Sequence, residues 1–313
     1  MHVLGVDAGG SKTVCQLADD SGQIIAEARG PAAHLQTLGE LEVEKVLHAL
    51  IDEVVSQRGE RPGVICLGMA GVDRPRDAAT IREILGRIGE RARLLIVNDA
   101  LIALEAGLPG APGIVVIAGT GSIAYGRNAG EQAARAGGWG YVLGDEGSGY
   151  WLGRQALRAV VRADDRRGSP TALTPLLLAH FSIGRPADLV REIYEGGTRP
   201  STIASLARYL QTAFDQGDPI AQQILDVAAA ELAAAAMSVA RRLSLESPTV
   251  LLAGGTFKAA PRLADLLVGR LRAAAPGVSI HHLDAEPASG AVRLARRLAN
   301  GDHAVPAYID SHA

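Results

Sequence analysis

The chain has 313 residues, a formal charge of −3 and 21% charged residues, which is too long for one simple hydrophobic core and points to two domains. Balanced charge, with no stretch of Lys and Arg interleaved with aromatics, argues against a nucleic-acid partner. Only Cys15 and Cys66 are present, both in apolar strand-like segments, so neither a disulfide framework nor a Cys-built zinc or iron–sulfur site fits within one chain.

The start, MHVLGVDAGG, has no basic lead or long apolar run and is interrupted by Asp7, so no secretory signal is visible and a cytoplasmic location is expected. Segments 2–8, 12–18 and 23–29 read as three short antiparallel strands joined by GGS and DDSG turns. A periodic helix follows, with Val43, Val46, Leu47, Leu50, Ile51, Val54 and Val55 on one face. Strand 63–68, helix 75–88, strand 93–97 and helix 99–107 then alternate, which predicts parallel strands with crossover helices. Residues 106–126 are an uncharged run, but its glycines and prolines predict a loop and hairpin, and no membrane partner is expected.

The cycle then repeats. GIVVIAG, SIAYGR and ARAGG are again three short strands in a row, followed by helices through 148–245, including a long one from Pro219 to about Ser244. Strand 248–253, helix 262–274, strand 278–283 and a helix from about 286 to 300 complete it. Two meander-plus-crossover halves predict a duplicated α/β fold around a cleft. The expected division is 1–108 with helix 286–300 packed back on it, 109–285, and a loosely held tail over 301–313. Of the remaining histidines, His281, His282, His303 and His312 form no convincing ligand group.

Glycine numbers 37 against two Trp, six Tyr and three Phe, and the glycines cluster. In Gly5-Val-Asp7-Ala-Gly9-Gly10-Ser11-Lys12-Thr13 an acid ends a buried strand beside a glycine turn, where bare N–H groups can face phosphate and the carboxylate can orient a metal. An ordinary hairpin turn explains one such segment equally well. Ile117-Ala-Gly119-Thr120-Gly121-Ser122 repeats the design where the second half opens. The same segment fits a dinucleotide fingerprint, but SIAYGR continues as a strand and not as the helix that motif requires. A third turn, Gly254-Gly255-Thr256, ends a strand before a helix, which suits the adenosine end of one cleft.

In this order the three turns resemble those of the actin, sugar kinase and heat-shock ATPase superfamily, which implies a duplicated actin-like (ribonuclease H-like) α/β fold. The narrower resemblance is to the N-acetylglucosamine kinases of the BadF/BadG/BcrA/BcrD ATPase family. It is carried by Asn98-Asp99-Ala100, by Gly137-Gly138-Trp139-Gly140 with Gly144-Asp145-Glu146-Gly147-Ser148, and by Leu67-Gly68-Met69-Ala70-Gly71. Asp99 follows a buried strand and opens a helix, which alone reads as a helix cap. The resemblance implies that Asp99 is the catalytic base that takes a sugar hydroxyl proton. It further implies ATP held by Gly9, Gly10, Ser11, Lys12, Thr13, Thr120, Gly121, Ser122, Gly254, Gly255 and Thr256, Mg²⁺ held through water by Asp7, and a homodimer. The sugar side would comprise His34, Gly71, Asn98, Gly138, Trp139 and Asp145.

One position departs from the pattern. Where the resembled kinases carry an Asn after the third strand, this chain has His34, which lacks the amide's paired donor and acceptor. The implied activity is therefore amino-sugar phosphorylation, N-acetylglucosamine at the C6 hydroxyl foremost, with glucosamine or glucose as alternatives. Two other functions remain open at this level: an ATP-driven activator of a 2-hydroxyacyl-CoA dehydratase, which shares the family name, and a non-catalytic sugar sensor.

Overall fold

The computed structural model describes residues 1–72, 75–195, 198–302 and 305–309. Strands β1 (Val3–Ala8), β2 (Lys12–Ala18) and β3 (Ile24–Pro31) form the first antiparallel meander. A four-residue helix α1 (Leu35–Leu38), absent from the sequence reading, leads into the periodic helix α2 (Glu40–Ser56). Then β4 (Val64–Met69), α3 (Pro75–Arg87), β5 (Arg93–Asn98) and α4 (Asp99–Gly107) alternate, with β4 and β5 parallel to β1. The sheet order is β3-β2-β1-β4-β5.

The second half repeats this connectivity. Strands β6 (Gly113–Ala118), β7 (Ser122–Arg127) and β8 (Gln132–Gly137) form its meander. Helices α5 (Gly149–Asp164), α6 (Leu173–Phe181), α7 (Leu189–Tyr194), α8 (Pro200–Ser205), α9 (Ala207–Asp215) and α10 (Pro219–Arg242) intervene. Strand β9 (Thr249–Ala253), helices α11 (Gly255–Ala259) and α12 (Pro261–Ala274), strand β10 (Ser279–His282) and helix α13 (Pro287–Ala299) complete it. Its order, β10-β9-β6-β7-β8, is the same as in the first sheet, so the duplicated α/β fold expected from the element pattern is present.

The tail differs from expectation. Ala307–Tyr308 forms a further strand, β11, parallel to β8, and the Ile309 N–H donates to the Ala133 carbonyl at 2.8 Å. The physical reason is the open edge of β8, whose backbone groups need partners. Arg242 reinforces the contact by donating to the Ile309 carbonyl at 2.9 Å. His303 and His312 lie outside the described residues. The uncharged run 106–126 holds the end of α4 and the β6–β7 hairpin. Among the described residues, α10 alone is long and apolar enough to cross a membrane, and its Leu225, Ala229, Leu232 and Ala236 sit in the core of the second half.

The halves share a core in which Leu101 and Leu104 of α4 and Val292 of α13 pack with Val115, Tyr125 and Leu251, and two close contacts stand out in it. Helix α13 crosses β1 and α4 at backbone distance: a methyl on Gly290 would stand 1.9 Å from the Ile102 carbonyl oxygen, and one on Gly5 would stand 2.5 Å from that of Ala288. No side chain fits there. Beside it, Glu105 of α4 and Arg127 of β7 form an ion pair at 2.8 Å, 3% and 1% exposed. Arg127 also donates to the carbonyls of Leu108 and Ala111 (2.8 and 3.1 Å), so the pair fastens the α4–β6 connection. Breaking such a buried pair from one side costs roughly 3–5 kcal/mol.

The crossing sets a stability prediction. Gly290→Ala must push backbone apart and is expected to lose at least ~2 kcal/mol in urea unfolding. Gly269→Ala, in an exposed turn of α12 with nothing within 4 Å, is expected to gain ~0.5–1 kcal/mol from helix propensity. Equal effects at the two positions would contradict the close-contact account.

Candidate active site

Parallel strands of the first sheet deliver their carboxyl ends to one edge, the usual site of ligand binding in such sheets. Asp7 of β1 lies opposite Gly68 of β4, and Met69 lies opposite Asn98 of β5. Gly71, at φ +77°, turns the chain just beyond β4.

The two phosphate-type turns are built alike. The Gly9 N–H closes the first on the Lys12 carbonyl (3.0 Å), and the Gly119 N–H closes the second on the Gly121 carbonyl (2.9 Å). Among the described residues, the N–H groups of Gly10, Ser11, Thr120 and Gly121 have no protein acceptor, which leaves them for ligand oxygens. The turns face one another, since a methyl on Gly10 would lie 3.7 Å from Thr120 Cβ. The third turn abuts the second. Gly254 is at φ +107°, and a Cβ there would meet the Ala118 carbonyl oxygen at 2.2 Å, while around Gly255 there is open space.

Three of the hydroxyls at these turns point into the fold. Thr13 donates to the Pro31 carbonyl at 2.7 Å, Ser122 to that of Glu146 at 2.8 Å and Thr256 to that of Gly119 at 2.9 Å. Their side chains brace the turns.

Charge in the cleft is strongly acidic. Burial first, then the negative charges of Asp99 and Glu286, raise the Asp7 carboxyl from 3.8 to about 7, with Lys12 opposing. Asp99 is the first residue of α4 and is half-buried. Read alone, the sequence makes Asp99 the helix cap, but in the structure that role belongs to Asn98, whose Oδ1 accepts the Ala100 N–H at 2.8 Å. An extended residue at φ −65°, ψ 143° has the geometry a cap needs, and that residue is Asn98. Asp99 is thereby relieved of the cap role at α4.

Glu286 and Arg29 escaped the sequence reading. Glu286 sits at the cap position of α13, yet its side chain makes no cap bond. It accepts from Lys12 Nζ at 2.7 Å and Arg29 Nη1 at 3.1 Å. The Glu-Pro pair at 286–287 signals a helix start. Nothing local signals a partner 274 residues away.

On the opposite wall, Asp145 is 7% exposed at φ +61° and accepts the N–H groups of Ser122 and Gly140. Burial nevertheless raises its carboxyl above the usual range. A Cβ on Gly121 would meet Asp145 Oδ2 at 2.6 Å. The Gly138 N–H donates to the Ser122 carbonyl at 2.9 Å, and the N–H of Gly149 to the Gly119 carbonyl at 2.8 Å. The glycine-rich segment and the second phosphate turn are therefore one hydrogen-bonded block.

Trp139 is 59% exposed with the Arg135 guanidinium 4.6 Å from its ring centroid. It borders a cavity of about 220 Å³ with Ser122, Gly137, Leu143, Glu146 and Leu232. Trp151 packs on the core of the second half. His34 starts α1 after β3, with its Nδ1 buried and without a hydrogen-bond partner, and burial lowers its pKa.

Together these groups offer facing turns with unbonded N–H groups, an acidic pair beside them and the buried Asp145 bonded to the second turn. Such a set can position a phosphate chain against a hydroxyl and take up its proton.

The chain matches the family model for the BadF/BadG/BcrA/BcrD ATPase family over residues 4–295. It is 37% identical over 300 residues to an N-acetylmuramic acid/N-acetylglucosamine kinase of Clostridium acetobutylicum, covering 94% of this chain and 98% of that protein. It is 33% identical over 310 residues to an N-acetyl-D-glucosamine kinase of Dictyostelium discoideum, covering 93% and 97%. A structure from Chromobacterium violaceum, solved as a candidate N-acetylglucosamine kinase, is similar with a TM-score of 0.74 and 30% identity, covering 94% of this chain and 98% of that one. With a family match running almost from end to end, and two sheets of one connectivity in the duplicated actin-like arrangement, the protein belongs to the BadF/BadG/BcrA/BcrD ATPase family.

Proposed function

We propose that the protein is an ATP-dependent sugar kinase that phosphorylates an amino sugar, N-acetylglucosamine foremost, at the C6 hydroxyl. The observation that carries this reading is the pair of facing turns with unbonded N–H groups beside Asp7 and Asp99. Gly9, Gly10, Ser11, Lys12 and Thr13 with Thr120, Gly121 and Ser122 would hold the phosphates, chiefly through backbone N–H groups. Gly254, Gly255 and Thr256 would carry the adenosine, with the open face at Gly255 receiving a flat base.

The acids fit a divalent cation. Asp7 is buried among negative charge with only Lys12 opposing, an arrangement that a cation relieves. Mg²⁺ held there through water would neutralise charge on the transferred phosphoryl group. Asp99, at the start of α4 beside Asp7, would accept the hydroxyl proton, while Asn98 caps the helix. Asp145, Trp139, Gly138, Asn98, Gly71 and His34 would orient the sugar. Residues 1–108 with 286–300 and residues 109–285 would be the two lobes, which close to exclude water.

Glucosamine or glucose is the alternative within this class, because His34 offers one ring nitrogen where an amide would offer a donor and an acceptor. An iron–sulfur activator is disfavoured: Cys15 and Cys66 are fully buried, and burial pushes the Cys15 thiol up to about 12.

The test is coupled-assay turnover with Mg²⁺ and ATP on N-acetylglucosamine, N-acetylmuramic acid, glucosamine and glucose, followed by identification of the phosphorylated oxygen. No turnover on any of them would sink the assignment. Asp99→Asn is expected to lose at least ~10²-fold in kcat while KM for ATP stays within about threefold. Full activity in that variant would remove Asp99 from the base role.

Asp7 gives a pH-dependent check. Its folded carboxyl binds a proton more tightly than the unfolded one does, so its stability penalty is absent below about pH 4, grows as pH rises toward 7 and then levels off. Asp7→Asn should therefore gain little at pH 4 and ~1–4 kcal/mol at pH 8 by chemical denaturation. An equal gain at both pH values would contradict the burial account.

A further inference from the structure

Glu286 stands at the start of α13, where its carboxylate would ordinarily accept an N–H of its own helix, and it forgoes that bond. It reaches instead to Lys12 at 2.7 Å and Arg29 at 3.1 Å. Lys12 closes the first phosphate turn and is half exposed, while Glu286 is 21% exposed and near enough to Asp7 to raise its pKa. Two cations that could draw a phosphate chain are thus already engaged by one carboxylate at the mouth of the turn.

We propose that Glu286 is a positioning residue that holds Lys12 off the phosphate path, so that a nucleotide must displace it to recruit the ammonium. The inference rests on the reading of residues 9–13 as a phosphate turn. Its sign follows from charge alone. If Lys12 leaves Glu286 for the phosphates, an ion pair is broken. If it stays, a carboxylate remains beside the phosphates. Both outcomes weaken nucleotide binding and speed product release.

The experiment is calorimetric titration of the full-length protein with Mg·ADP. Glu286→Gln is expected to tighten binding by about threefold, because an ion pair of this exposure is worth a modest factor. KM for ATP should fall in step, and kcat should not rise. A gain in affinity is a readout that structural damage does not produce.

In a Lys12→Ala background the effect of Glu286→Gln should shrink to the direct repulsion between the carboxylate and the phosphates, because the part that acts through Lys12 is gone. Arg29→Gln, which leaves Glu286 to Lys12 alone, should weaken Mg·ADP binding and serves as the independent variant if Glu286→Gln does not fold. Unchanged or weaker binding by Glu286→Gln, or an equal gain with and without Lys12, overturns the proposal. Unchanged or tighter binding by Arg29→Gln also overturns it. Wild-type protein that binds no adenine nucleotide would overturn the phosphate-turn reading first and this inference with it.

Discussion

The backbone crossing of α13 over β1 and α4 is the constraint on which the site depends. Gly5 and Gly290 leave no space for a Cβ, so the three elements approach as closely as main chains can. Each brings one acid to the same edge: Asp7 from β1, Asp99 from α4 and Glu286 from α13. Burial first, and then this convergence of like charge, raises the Asp7 carboxyl. Burying like charges is tolerated where catalysis or binding gains from it. Aliphatic packing of Ala291, Val292, Leu294 and Ala295 against Val3, Val64 and Leu101 supplies the compensating stability.

The second half is organised by hydrogen bonds more than by packing at the cleft. Ser122 is held from three sides: its N–H by Asp145, its carbonyl by Gly138 and its hydroxyl by the Glu146 carbonyl. Thr120 and Gly121 sit immediately before it. The Trp139 loop and the Thr120–Gly121 turn are therefore tied to one another by a hydrogen-bond network. The buried Glu105–Arg127 pair fastens this unit to the helix that carries Asp99.

Much of this was legible in the sequence because it is local. The glycine turns, the periodic face of α2 and the alternation of strands and helices are short-range patterns, and the structure realises them within one or two residues. What stayed hidden is long-range or stereochemical. Which of Asn98 and Asp99 caps α4 depends on one pair of dihedral angles. Whether the hydroxyls of Thr13, Ser122 and Thr256 face ligand or protein depends on carbonyls far along the chain. Glu286 and Arg127 have partners that no periodicity announces. Strand β11 owes its existence to the open edge of β8 and not to its own two residues.

That last strand has a practical consequence. Parallel pairing at Ala307 and Tyr308, the Arg242 bond to Ile309 and the edge-on contact of Tyr308 with Tyr125 seal the outermost strand of the second sheet. An unsealed strand of that kind is a template on which another chain can add. A few residues at the end of the described chain thus cover that edge, and a tag or truncation that peels them away would leave β8 open to a strand of another copy.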